Sequence, residues 1–171
     1  MSRFIFVPAT AAPDPGADVA RQTAATLARL DERLRADGSS LADAVALTVY
    51  LRRASDSPAM NDVYRQAWKG APPTRTTVVV DPQTPGAQVE ISAVAVPTWS
   101  ERRIVHPASW MASPNPYSYA IRTGETLFLS GLVARNGKDN SPVAGDVAMQ
   151  TRAVLENAKG DRKSTRLNSS H

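Results

Sequence analysis

Residues Ala17–Leu27 read ADVARQTAATL, and residues Gly145–Leu155 read GDVAMQTRAVL. Asp-Val-Ala, Gln-Thr, Ala and Leu return at a constant offset of 128 residues. An offset of that size is the length of a domain, not the roughly 20–50-residue period of a solenoid. The chain therefore reads as two copies of one unit. With 171 residues in all, the second copy must stop inside its first long helix. The expected organisation is a first copy over residues 1–99 with its front hairpin incomplete, the front half of a second copy over 100–160, and a tail over 161–171. The tail, DRKSTRLNSSH, follows Lys159-Gly160, where the helix is expected to end. It has no apolar periodicity and resembles the conceptual translation of a sequencing-adapter oligonucleotide, so it is set aside from fold reasoning. A natural disordered tail is the alternative. On this reading the chain is a piece of a longer protein, clipped at its end and short at its front.

Within the first copy, Val19, Ala20, Ala24, Leu27, Leu30 and Leu34 have the spacing of a one-faced helix, with Asp18 as its cap and Gly38 at its left-handed end. Ala44–Leu51 is β-branched and apolar, a buried strand. A second helix is expected with Ser57 as cap, Pro58 at its first turn and an inner face of Met60, Tyr64, Ala67 and Trp68. Thr74–Val80 and Ala87–Val96 read as two adjacent strands joined by a Pro/Gly turn, and Phe4–Val7 as a short opening strand. Later, Tyr117–Ile121 and Thr126–Ala134 read as a hairpin turned at Arg122–Glu125, with a helix starting at Gly145. Strand and helix alternate, then strands follow one another. That order predicts an α+β layer with helices on one face of a mixed sheet.

Composition removes several chemistries. Cysteine is absent and His106 and His171 are the only histidines, so disulfides, thiolate nucleophiles, Ser-His-Asp sets and histidine-rich metal centres are excluded. No Gly-rich phosphate loop occurs. Neither a metal nor another cofactor is expected. The run Phe4–Val7 is far too short for a signal peptide or membrane helix, which predicts a cytoplasmic protein with no membrane partner. Net charge is +4, and without Arg162, Lys163, Arg166 and Asp161 of the tail it is +2. Arg52-Arg53 and Arg102-Arg103 are isolated pairs, so no nucleic-acid partner is expected. His106 and Trp110, in a Pro-rich connector, are read as packing at the junction.

Two residues do not belong with their neighbours. Arg75 stands among Thr and Val in one strand, and Glu90 lies between Val89 and Ile91 in the other. Arg75 is either an edge-strand arginine with its head in water or the anchor of a site. Glu90 is either a structural ion-pair partner of Arg75 or a functional carboxylate. The functional reading is concrete. A guanidinium grips a carboxylate through two parallel hydrogen bonds. Partial burial would raise the pKa of Glu90 and let it handle a proton near neutral pH.

The segments PPTRTTV, VEISAVAV, MNDVY, DGSSLADAVALTVYL and PYSYAI…LFLSG occur here in order. Together they resemble the RidA/YjgF family of enamine/imine deaminases over essentially residues 1–160. The resemblance implies a chorismate-mutase-like α+β fold, assembly as a homo-oligomer (a trimer, or a pseudo-trimer of copies) with clefts between subunits, no cofactor, and hydrolysis of small carboxylate-bearing enamines of the 2-aminoacrylate type to 2-keto acids and ammonia. Carried over by position, it implies that Arg75 holds the substrate carboxylate and Glu90 positions or activates water. Asn61, Thr77, Tyr117, Ser130 and Gly131 would line the cleft. Read from its helix alone, Asn61 is equally a solvent-facing residue, and Tyr117 is equally a hairpin aromatic packed on the sheet. Pro8-Ala9 stands where the first copy would need its own Ser-Gly, so neither copy holds a full set. The expectation is that Arg75 and Glu90 of the first copy meet Tyr117 and Ser130 of the second. A catalytically silent protein that binds small carboxylate metabolites is the alternative. Nuclease activity, also attributed to the family, finds no catalytic side chains to support it.

Overall fold

The computed structural model describes residues 4–68 and 70–167, and the side chains of 4–68 and 70–160. Its first unit follows the expected order: β1 (Ile5–Ala11), α1 (Val19–Ala36), β2 (Ala44–Leu51), α2 (Ser57–Ala67), β3 (Thr74–Val79) and β4 (Val89–Ala95). The sheet order is β1-β4-β2-β3. β4 runs antiparallel to both β1 and β2, whereas β3 is parallel to β2. Thus β3 and β4 are not neighbours, contrary to the expected hairpin. β2 lies between them, and the connection from β3 to β4 crosses its end, where Val80 N–H bonds to the Leu51 carbonyl and Arg52 N–H to the Gln88 carbonyl. β1 is longer than Phe4–Val7 and its register shifts between Val7 and Thr10. The irregularity falls at Pro8, which has no N–H to give the ladder.

Both helices cover one face of the sheet. Leu27, Leu30 and Leu34 of α1 and Met60 and Tyr64 of α2 pack with Leu47, Val49, Leu51, Val89, Ile91 and Ala93. Asp18 caps α1 by accepting the Arg21 N–H at 2.8 Å, and Gly38 takes φ +78° at its end. Ala24 is nonetheless exposed while Gln22, Thr23 and Thr26 are buried. Gln22 is tolerated inside because its amide donates to the carbonyls of Pro15 and Ala17 and accepts the Gln88 N–H at 2.8 Å. In α2, Ser57 is the first helical residue and not the cap, and Ala67 is exposed. The opposite face is covered only in part: Val94 packs into a second small core, while Phe6 and Val78 are exposed there.

The second unit opens with β5 (Arg103–Val105), β6 (Ala120–Thr123) and β7 (Thr126–Leu129), an antiparallel sheet in that order. Both strands of the predicted hairpin are shorter than expected, and the turn tightens to Gly124-Glu125, with Gly124 at φ +53°. A small second core of Val45, Val96 and Ile121, with Phe4 and Phe128 against it, joins the two sheets. The last helix, α3 (Val147–Leu167), begins with Asp146 accepting the Met149 N–H at 2.8 Å, as Asp18 does for Arg21. It does not stop at Gly160, contrary to expectation. A glycine inside a helix costs only about 1 kcal/mol, and Gly160 has no positive φ. Residues 168–171 of the tail lie outside the described residues. Among the described residues no helix is long and apolar enough to cross a membrane.

Candidate functional site

The edge of β3 is where the two units meet. Ser118 N–H donates to the Pro73 carbonyl at 3.1 Å and Gly131 N–H to the Arg75 carbonyl at 3.0 Å. The Ser130 hydroxyl accepts the Arg75 N–H at 2.9 Å and donates to the Ser118 carbonyl at 2.7 Å. The Ser118 hydroxyl donates to the Pro72 carbonyl. An edge strand with unpaired groups is thereby closed by the second unit. Gly131 fits because a Cβ there would lie 3.1 Å from Thr76 Cγ2.

Arg75 itself is buried, at 8 % exposure. Its guanidinium carbon lies 4.8 Å from the Tyr64 ring centre and 5.6 Å from that of Tyr117, and Nη1 is 3.8 Å from Met60 Sδ. None of the ion pairs among the described residues includes it. The simple Arg75–Glu90 ion pair is therefore not formed. Burial lowers the Arg75 pKa from the usual arginine value, yet the group stays charged near neutrality. The geometry is a permanent cation clamped by two aromatic faces and lacking an anion.

Asn61 lies one helical turn from Tyr64 and is buried, not solvent-facing. Its amide donates to Asn115 Oδ1 at 3.2 Å, while its own Oδ1 has no partner. The buried hydroxyl of Tyr64 is also unpartnered. The apolar spacing of α2 marks Tyr64 as a core residue and carries no sign of an unpaired hydroxyl; its spacing from Asn61 on one helix face is the signal the sequence offers. Thr77 lies two residues beyond Arg75 on the same face of β3, exposed. Tyr117 is half-buried and lines two cavities. The first, of about 380 Å³, includes Tyr64, Arg65, Trp68, His106 and Tyr119. The second, of about 210 Å³, includes Ser130, Gly131 and Trp110.

Glu90 is elsewhere. On β2, Leu47 is the partner of Arg75 and Tyr50 the partner of Glu90. Alternation of side chains puts Leu47 and Tyr50 on opposite faces. Arg75 thus points to the helix side and Glu90 to the opposite side, near Ala9, Val78, Val80 and Gln83. Burial does push its pKa upward, as expected, but the hydrogen bonds from Thr84 at 2.7 Å and Gln83 at 3.2 Å outweigh it and hold the carboxyl below its ordinary value. At neutral pH Glu90 is an acceptor and not a proton store. Within one chain, then, Arg75, Asn61, Tyr117 and Ser130 come together and Glu90 does not. No metal-binding cluster of three acidic, His or Cys groups forms among the described residues.

A mixed sheet with two helices packed on one face, and a buried arginine outside every ion pair among the described residues at its closed edge, defines a protein of the α+β class. The sequence model of the family described as Endoribonuclease L-PSP matches residues 4–97 and 108–160, and the chain belongs to this family, also called RidA/YjgF. Protein DfrA of Myxococcus xanthus is 37% identical over 79 residues, covering 46% of this chain and 60% of its own length. The chain therefore spans little more than half of that relative. The 2-iminobutanoate/2-iminopropanoate deaminase of Capra hircus is 35% identical over 102 residues, covering 56% of this chain and 74% of the goat protein. Among solved structures, E. coli TdcF with bound serine matches with a TM-score of 0.52 and 27% identity, covering 56% of this chain and 81% of TdcF.

Proposed function

We propose that the chain hydrolyses small enamines and imines that carry a carboxylate. Water adds to the C=N carbon, the C–N bond breaks, and a 2-keto acid and ammonia leave. The observation that carries this reading is the buried Arg75 guanidinium without an anion. Holding an uncompensated charge inside a protein is costly, and a substrate carboxylate would supply the missing partner. The goat relative's name and the serine bound by TdcF agree with a small amino- or imino-acid ligand. Asn61, Tyr117 and Ser130 would shape the cleft around it, with Thr77 and Gly131 at its margins. Glu90, facing the other side of the sheet, would serve such a site only from another copy, and the partly exposed face bearing Phe6 and Val78 is the surface on which copies would assemble as a homo-oligomer. The two family matches in one chain agree with a tandem arrangement.

The position of Glu90 also supports a second reading, a silent protein that binds 2-keto acids without turnover. One experiment separates the two. 2-Aminoacrylate generated by a serine dehydratase should decay faster with the protein present, and Arg75→Ala should remove the acceleration. Saturable pyruvate binding with no acceleration selects the silent reading. Neither binding nor turnover rejects both.

A further inference from the structure

The two helices that repeat at the 128-residue offset are built alike and covered differently. Asp18 and Asp146 cap α1 and α3 in the same way, and the amides of Gln22 and Gln150 donate to the carbonyls of Ala17 and Gly145. Yet Val19 is 8 % exposed and Val147 82 %, and Leu27 is 3 % exposed against 56 % for Leu155. What covers α1 is plain: its apolar stripe packs with Ile5 and Val7 of β1 and with Val89, Ile91 and Ala93 of β4. In the second unit β7 stands where β1 does. Ser130-Gly131 fills the place of Pro8-Ala9, so Leu127 and Leu129 correspond to Ile5 and Val7. With Leu155 and Ala158 they line a groove of about 500 Å³, rimmed by Arg152, Glu156 and Lys159. Among the described residues β7 is the end strand of its sheet, and no strand stands where β4 would.

Two polar features say what fits this groove. In an antiparallel ladder successive N–H groups point to opposite edges. Ser130 N–H goes inward to the Tyr119 carbonyl, and Gly131 N–H goes outward to the Arg75 carbonyl of β3. Leu129 and Leu127 continue that outward row from the interface between the units, with no ladder partner among the described residues. The second feature is Gln150. In α1 the side-chain oxygen of Gln22 accepts the N–H of Gln88, the residue just before β4. Gln150 is held by the same local bond, but its oxygen meets no strand N–H among the described residues. We propose that the groove between β7 and α3 docks one extended peptide strand of alternating apolar residues. The strand pairs antiparallel with the outer edge of β7, lays its inward side chains on Leu155 and Ala158, and donates a backbone N–H to Gln150. Val89, Ile91 and Ala93 show the side-chain sizes that a helix of this sequence accepts. Strand addition of this kind takes affinity from the main chain and specificity from alternate side chains. A second copy cannot offer its own β4 without opening its sheet, because β1 and β2 flank that strand. The inference is independent of any role for the Arg75 guanidinium.

The test titrates the whole chain into a fluorescein-labelled synthetic peptide of the Gln88–Val96 sequence, QVEISAVAV, and follows anisotropy. Saturable binding is expected. A peptide of the same composition whose apolar residues no longer alternate should bind at least about tenfold more weakly. Gln150→Ala should weaken binding about fivefold, the loss of one hydrogen bond. Leu155→Asp should weaken it at least about tenfold, since a carboxylate would be buried under the strand. Both residues are exposed in the chain alone, so both variants should keep the parent's melting curve. No saturable binding up to ~1 mM chain, or binding that both variants leave unchanged, overturns the inference. Sedimentation of the unliganded chain is the companion measurement. A dimer that Leu155→Asp dissolves seats a second copy on this face and overturns the assignment to a peptide strand.

Discussion

The Ser130 hydroxyl receives the backbone N–H of Arg75 at 2.9 Å, across 55 residues of sequence, and passes its own proton to the Ser118 carbonyl. One side chain of the second unit thus fixes the strand that carries the candidate anchor. Ser130→Ala leaves a buried N–H and a buried carbonyl short of a partner, a loss of about 2 kcal/mol. For a chain of this size the expected fall in Tm is roughly 4–8 °C. Calorimetry checks it; an unchanged Tm would mean that the two units are not tied at β3.

Arg75 should show opposite effects on binding and on stability. Its guanidinium is buried without a carboxylate, so Arg75→Met, similar in length and free of charge, removes a desolvation cost along with two aromatic contacts worth about 1 kcal/mol each. Keto-acid binding should be lost, while Tm holds within a few degrees or rises. A fall of more than about 3 kcal/mol in unfolding free energy would show that the arginine is held for structure instead.

Glu90 sets an acid limb to stability. Its folded pKa lies below the ordinary 4.5, so its contribution is complete above that value and is lost as pH falls through the lower folded one. Glu90→Gln cannot accept both backbone N–H groups and should cost about 1–2 kcal/mol at pH 7. That difference should narrow as pH falls through the lowered folded value, below which the parent is itself protonated. Urea melts of the two proteins across this range measure it. A gap that does not narrow would place the effect in packing, not in charge.

Gln22 and Gln150 occupy the same place in the two related segments and make the same local bond, to the carbonyls of Ala17 and Gly145. Only Gln22 also receives a strand N–H, that of Gln88, and it is fully buried, whereas Gln150 is exposed. Gln22→Ala should therefore cost about 2–3 kcal/mol through lost buried hydrogen bonds. Gln150→Ala should change stability by less than about 0.5 kcal/mol. Equal costs would indicate that α3 is covered in solution as α1 is.

Much of this molecule is local and could be read along the chain. The six elements of the first unit follow from apolar spacing, the Asp18 cap and the left-handed Gly38. Arg75 announces itself because charge is rare inside a β-branched run. The cap and the glutamine bond recur in α3 for the same reason, since both are made within one turn of helix. What the chain could not display is which strands become neighbours. Placing β2 between β3 and β4 decides that Arg75 and Glu90 face opposite sides, because alternation fixes a face only relative to a partner strand. The pKa of Glu90 fell instead of rising because two backbone N–H groups of the preceding turn, those of Gln83 and Thr84, close on it. The aromatic cavity likewise exists only once the second unit docks on the edge of β3, since Tyr64 and Trp68 line it from one side and His106, Tyr117 and Tyr119 from the other. Local sequence sets each element by short-range sterics and hydrogen bonds; the site arises from contacts between residues some fifty positions apart, such as Arg75 with Ser130, which no local pattern encodes.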